Sequence, residues 1–264
     1  MADHIVMATQ TTAGPAWVAT NVDGEVSIGG AGAHVAQLRR PDPAGTRDRF
    51  VSLEPAHAVV ERLQRAFGAV RIGSSADVYK ASLTATLGQR ITAAEAVNQW
   101  ARLCRSLSAP IDTPFGPLLP PPDPHRLAGM VPHQLHVHGI EESRARTLVG
   151  IAKVFARPGL HHTDTHVALH RIGVEVPRFG PWTRALVEGE ALGNPDAVAV
   201  GDFHLKNVVA HALRGRPRGS DEEMLDALAP YAGQRGRVLM WLALGGIAAP
   251  KFGPRRRNID IRRF

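Results

Sequence analysis

The segment Val176-Pro-Arg-Phe-Gly-Pro-Trp-Thr183 constrains this chain more than any other. Stretches of helical period flank it, yet its prolines at 177 and 181 cannot lie inside a helix, because proline lacks an N–H and its ring clashes with the preceding turn. Proline is welcome at the first position of a helix. The segment therefore reads as a tight hairpin that opens a helix, and such a junction can hold a phosphate on backbone N–H groups. Twenty residues after Trp182, Asp202 stands among apolar residues in Val200-Gly-Asp-Phe-His-Leu-Lys-Asn207. Two readings of Asp202 stand together. It can cap the helix begun by the residues after it, and a fixed carboxylate can also stabilise a cation that develops beside it.

From Pro55 onward the apolar residues recur at helical spacing. Val59, Val60, Leu63 and Phe67 make one face, and Val78, Leu83 and Leu87 another. Thr92-Ala-Ala-Glu95 is a capping box for a helix expected to reach Leu107, with Ala96, Trp100, Leu103 and Cys104 inward. Seven prolines between Pro110 and Pro124 demand an extended crossover. Ser143 is expected to cap the next helix, which buries Ala145, Leu148, Val149 and Ala152. Ser220-Asp-Glu-Glu223 is a second capping box, and Arg237–Leu244 reads as the last core helix. Residues 1–54 differ. Ala16–Ile28 reads as a hairpin about Asp23-Gly24, and His34–Arg40 as a further strand, followed by a loop at Pro41–Gly45. No internal repeat is visible. The expected organisation is a small, β-rich α/β domain at 1–54, a helical region at 55–250 and a basic tail at 251–264.

The chain of 264 residues carries a net charge of +7, which favours polyanionic partners. The tail accounts for most of it: Lys251, Arg255, Arg256, Arg257, Arg262 and Arg263 face a single acid, Asp260. Charge alone is thus weak support for nucleic-acid binding, since a solvated basic tail explains it equally well. The single cysteine, Cys104, rules out an intrachain disulfide and a cysteine-ligated iron–sulfur cluster; it reads as a small core residue. His133, His136 and His138 cluster, as do His161, His162, His166 and His170 with Asp164. The i, i+4 pairs among them invite a zinc site. With no cysteine beside them and no His-Glu-x-x-His, the surface reading is preferred, and no metal is expected. The start of the chain lacks a basic segment followed by an apolar one, and no apolar run is long enough to span a membrane. A cytoplasmic, nucleoid-associated monomer is expected.

In combination, Gly180-Pro-Trp-Thr183, the twenty-residue step to Asp202 and the run Asp202-Phe-His-Leu-Lys206 resemble the helix-hairpin-helix DNA glycosylases, most closely the 3-methyladenine DNA glycosylase II branch. Leu87-Gly-Gln-Arg-Ile-Thr92, Tyr231-Ala-Gly-Gln-Arg-Gly-Arg237 and Phe252-Gly-Pro-Arg-Arg256 extend the likeness over roughly residues 55–256. The resemblance implies a mainly α fold in which a small mixed domain precedes the helical glycosylase region. It implies double-stranded DNA with alkylated bases as partner, no cofactor, and Asp202 as the catalytic carboxylate.

The remaining site assignments follow from the same resemblance. Trp182 stands where bifunctional relatives carry a Schiff-base lysine, so base release without strand cleavage is expected. Trp182 would wall the base pocket, where a cationic base stacks on an indole; a core tryptophan is the competing reading. Leu186, one turn on, hints at a less aromatic pocket, and Trp241 is a weaker pocket candidate, better suited to the core. Gly180, Thr183 and Arg178 are the expected DNA contacts of the hairpin. Arg178 departs from the family's glycine there, so it either alters the turn or pairs with a phosphate through its guanidinium. Gln89 and Arg90 fall where the family fills the gap left by the everted base; a solvated arginine is the alternative. A non-catalytic helix-hairpin-helix DNA-binding protein that recognises lesions or DNA structure is the rival to the enzyme.

Overall fold

The computed structural model describes residues 4–157, 164–250 and 262. The chain opens with three antiparallel strands in the order β1 (His4–Thr11), β2 (Gly14–Asn21) and β3 (Val26–Gly29). The turn between β2 and β3 contains Asp23-Gly24, and Gly24 takes a φ of 83°. Where a further strand was expected, the chain forms the short helix α1 (Ala33–Leu38). Six residues are too few to display a helical period, and the β-branched Val35 suggested a strand. The strand β1 has no clean alternation of buried and exposed residues, which left it unread in the sequence.

The helices follow in the order α2 (Ala58–Phe67), α3 (Val78–Gly88), α4 (Ala93–Leu107), α5 (Pro124–Ala128), α6 (Glu142–Phe155), α7 (Thr165–Glu175), α8 (Pro181–Leu192), α9 (Leu205–Arg214), α10 (Asp221–Leu228) and α11 (Arg235–Leu244). Local chemistry sets several starts. The Thr92 hydroxyl accepts the Glu95 N–H at the head of α4, and Ser220 and Glu223 close a reciprocal capping box on α10. Pro124 and Pro181 each occupy the first turn of the helix they open. At α6 the expectation failed by two residues: Glu141 is the N-cap, and Ser143 already lies inside the helix.

Two hydrophobic cores organise the helices. The first gathers side chains from α3 through α8, with Leu83, Leu87, Leu103, Leu148 and Ile172 fully buried. The second joins α2 to α9, α10 and α11 around Val60, Val209, Leu228 and Trp241. The expected helical region therefore contains two packed units. The N-terminal segment engages both. The Thr9 hydroxyl donates to Asp77 (2.5 Å), the N-cap of α3, while Phe50 and Leu53 pack on the second core. Among the described residues no helix is long and apolar enough to cross a membrane. The basic tail, apart from Arg262, lies outside the described residues, as do His161 and His162; among those described, no three His, Cys, Asp or Glu side chains gather as metal ligands.

Candidate DNA-binding and catalytic site

The hairpin joins α7 to α8. Val176 and Phe179 turn inward and anchor it in the first core, leaving Pro177 and Arg178 exposed. Arg178 itself adopts the left-handed conformation, with a φ of 67°. The turn that glycine would favour is thus retained with an arginine in it, at a conformational cost. Two side chains brace the turn: Thr147 donates to the Pro177 carbonyl (3.3 Å) and Gln89 to the Arg178 carbonyl (3.3 Å). Gly180 has an ordinary extended backbone, with a φ of −82°, and a Cβ placed on it would meet nothing within 4 Å. Neither the backbone nor the packing requires glycine there. Its bareness leaves open space directly against the first turn of α8, whose N-cap supplies no side-chain acceptor.

The first turn of α8 carries Trp182 and Thr183. Thr183 is buried, and its hydroxyl accepts the Gln89 amide at 2.8 Å. Gln89 is therefore committed to bracing the hairpin and is not a free plug for a gap in DNA. Its neighbour Arg90 is exposed and also holds a positive φ, 64°. Trp182 is half-buried, with Gly88 at the end of α3 against its ring. Its indole Nε1 donates to Asp202 Oδ2 at 2.9 Å.

This bond joins an element of the first core to the loop that enters the second. Asp202 Oδ1 accepts from the backbone N–H groups of His204 (2.8 Å) and Leu205 (2.9 Å), so it braces the turn into α9, although the N-cap itself is His204 and not Asp202 as the capping reading had it. The carboxylate is consequently fixed at both oxygens. Burial alone would raise its pKa, but the donors Trp182, Leu205 and His204, with the nearby His204 side chain, outweigh burial and hold it below the ordinary aspartate value. Asp202 is ionised at neutral pH, half-buried, and tied to the helix that the hairpin opens.

Around this pair, Leu186 on α8 is partly exposed and Phe203, beside Asp202, is 77% exposed. In the sequence Phe203 counted only as the aromatic member of the run Asp202-Phe-His-Leu-Lys206, with no role of its own. Trp241 lies elsewhere. It is fully buried in the second core with Phe50 edge-on at 5.5 Å, so it does not line this site.

The comparisons with solved structures now bear on this arrangement. A 3-methyladenine DNA glycosylase from Archaeoglobus fulgidus superposes with a TM-score of 0.69 at 15% identity, covering 92% of this chain and 87% of the other. The fold is that of the helix-hairpin-helix DNA glycosylases. The 3-methyladenine DNA glycosylase of Schizosaccharomyces pombe, in complex with abasic DNA, gives a TM-score of 0.56 at 17% identity over 72% of this chain and 92% of its own. The 8-oxoguanine glycosylase/lyase of Clostridium acetobutylicum gives 0.57 at 9% identity over 92% and 96%. No protein-family model and no curated protein matches the sequence. Solved structures named for different bases, one of them also as a lyase, thus share this fold. Substrate and reaction must be argued from the site.

Proposed function

We propose that the chain is a monofunctional DNA N-glycosylase, which everts alkylated purines of the 3-methyladenine type from double-stranded DNA and hydrolyses the N-glycosyl bond to leave an abasic site. The observation that carries this reading is the ionised Asp202 carboxylate, held by the Trp182 indole within one turn of the bare, uncapped start of α8. A base inside a duplex must be swung out before its sugar can be reached. The hairpin side of α8 offers N–H groups to the strand's phosphate, and Gly180 lets that strand approach closely. As the base departs, positive charge grows on the deoxyribose. A fixed anion facing it stabilises the transition state more than the ground state.

The fixation of Asp202 favours cationic leaving groups. A carboxylate held below its ordinary pKa is a weak base, so its contribution is electrostatic. Purines alkylated on a ring nitrogen already carry positive charge and leave with little acid assistance. Trp182 offers no amine for a Schiff base, which supports base release without strand cleavage. The decisive experiment is release of free base from methylated duplex DNA by the wild type and by Asp202→Asn. Release by the wild type and its loss in a variant that still binds DNA are expected. Release at the wild-type rate by the variant would remove Asp202 from the chemistry. Absence of release by the wild type would favour the rival, a lesion-binding protein without catalysis, for which the arginine in the hairpin is the supporting feature.

A further inference from the structure

Two helix amino ends meet beside the hairpin. The start of α8 belongs to the site described above. The other is the start of α6, whose N-cap Glu141 makes no side-chain capping bond. Among the described residues no acceptor meets the N–H groups of Glu142, Ser143 or Arg144. A helix start alone carries partial positive charge and nothing more specific. Arg144 adds a second, independent observation. Its side chain is only 4% exposed, and its Nη1 is spent on the Leu87 carbonyl and Gln99 Oε1, both at 2.8 Å. Its Nε is buried without a hydrogen-bond partner and faces Glu141 Oε1 across 3.9 Å. An unsatisfied buried donor is uncommon, and this one faces the N-cap residue of α6.

Arg178 completes the arrangement. From the hairpin its Nη1 reaches the Ser143 hydroxyl at 2.6 Å, and Ser143 in turn donates to Glu141 Oε1 at 2.9 Å. Arg146 and Arg184, on neighbouring surfaces, pair with Glu142 and Glu188. Arg178, by contrast, has no carboxylate within ion-pair distance among the described residues, although it is exposed and sits in a conformation that disfavours a side chain. With Glu142 neutralised by Arg146, the cluster of Glu141, Arg144 and Arg178 keeps an excess positive charge.

We propose that the start of α6 is a second phosphodiester subsite, in which Arg178, Ser143 and the first-turn N–H groups of α6 hold a phosphate adjacent to the one at α8. The proposal rests on the DNA-binding reading of the hairpin. The ligand's phosphate accepts from the Arg178 guanidinium and from the Ser143 hydroxyl, which turns its one proton from Glu141 to the ligand, with Arg144 beneath as a buried positive charge. Two helix starts bridged by one arginine then track one strand over two neighbouring phosphates.

The test uses duplexes that carry a stable abasic-site analogue and a single uncharged methylphosphonate, moved phosphate by phosphate along each strand. Wild-type protein is expected to lose affinity at two neighbouring positions on one strand. In the double variant Arg178→Gly with Ser143→Ala, one of these penalties should vanish and the other persist. The slope of log affinity against log salt should fall by about one. Glycine suits the left-handed turn, so Arg178→Gly alone should melt no lower than the wild type, which separates lost contact from lost fold. One sensitive phosphate in the wild type, or two in the double variant, overturns the proposal. Base release from methylated DNA, measured in parallel, judges the glycosylase reading separately: two sensitive phosphates without release would sink that reading and leave the subsite standing.

Discussion

Asp202 combines a structural duty with the proposed chemical one, and the two are separable by mutation. Its Oδ1 holds the turn that leads into α9 and its Oδ2 holds the Trp182 indole. Because the folded carboxyl lies below its ordinary value near 4, base release should stay constant as pH falls until it passes that depressed value. Trp182→Phe removes one of the donors and leaves burial in place, so the acid limb of the pH–rate profile should move upward. A limb that stays put would show that the indole does not govern the carboxylate. Gly180→Ala is a complementary probe. Extended backbone tolerates alanine and the space beside it is open, so stability should change by less than about 1 kcal/mol, as the gain from a stiffer unfolded chain opposes the poorer N-cap. DNA affinity should fall sharply, because the methyl occupies the approach to α8; an unaltered affinity in a duplex titration would place the strand elsewhere. Trp182 and Asp202 were legible as a pair only through the twenty-residue spacing on which the resemblance to the glycosylases rests; the bond between them is what the structure adds. Gln89 was legible only as a position. Its commitment to the Thr183 hydroxyl and the Arg178 carbonyl depends on groups 94 and 89 residues away, which no local pattern encodes. Arg144 was invisible for the same reason: an arginine in a helix reads as solvated until its partners at Leu87 and Gln99 are known.

At the level of single elements, local chemistry was a good guide wherever the signal lay within one turn. Ser220 and Glu223 form the box their spacing implies, and α10 buries Met224, Ala227 and Leu228 in the second core. Ser220→Ala removes one partner of that box and should cost about 1 kcal/mol, readable as a lower urea midpoint with an unchanged slope. Ser143 was misread because a serine two residues before an apolar stripe looks like a cap. The chain instead begins α6 two residues earlier than that cap would and leaves the Ser143 hydroxyl to bridge Glu141 and Arg178. The proline crossover was legible because proline excludes helix whatever the tertiary context. It holds no helix before Pro124 opens α5, but it is not extended throughout: an antiparallel bridge between Ile111 and Leu118 closes a tight turn from Thr113 to Gly116. Cys104 on α4 behaves as the small core residue expected: burial, only partly opposed by Lys80, pushes its thiol up to about 12. Native protein should therefore resist thiol alkylation at neutral pH, and react on unfolding.

Across the whole molecule, the position of the candidate site depends on how the two cores are joined, and one ion pair is central to that. Arg237 on α11 is fully buried, yet its Nη2 donates to both Asp48 oxygens (2.8 and 2.7 Å), its Nε to Gln234 and its guanidinium covers the Phe50 ring at 4.2 Å. The partners are 189 residues apart, so no sequence pattern announced the pair. It binds the segment leaving the N-terminal domain to the last helix, and through Ile72, whose N–H also donates to Asp48 (2.9 Å), to the approach to α3. Removing one partner strands the other charge in the interior. Asp48→Ala should therefore cost about 3–5 kcal/mol, whereas replacing both residues with apolar ones of similar volume should cost much less. Burial raises the Asp48 carboxyl, but the Arg237 bonds, the N–H groups of Ile72 and Phe50 and the Arg237 charge together bring it below its ordinary value. The sign follows: the pair's stabilisation is complete above the unfolded carboxyl's value near 4 and drains away as pH falls through the depressed folded value. Wild type and the doubly apolar variant should thus converge or cross in stability below about pH 4, and equilibrium unfolding across that range measures it. A constant difference between them down to the depressed value and beyond would mean that Asp48 does not titrate with folding and that the second core holds its place without the pair.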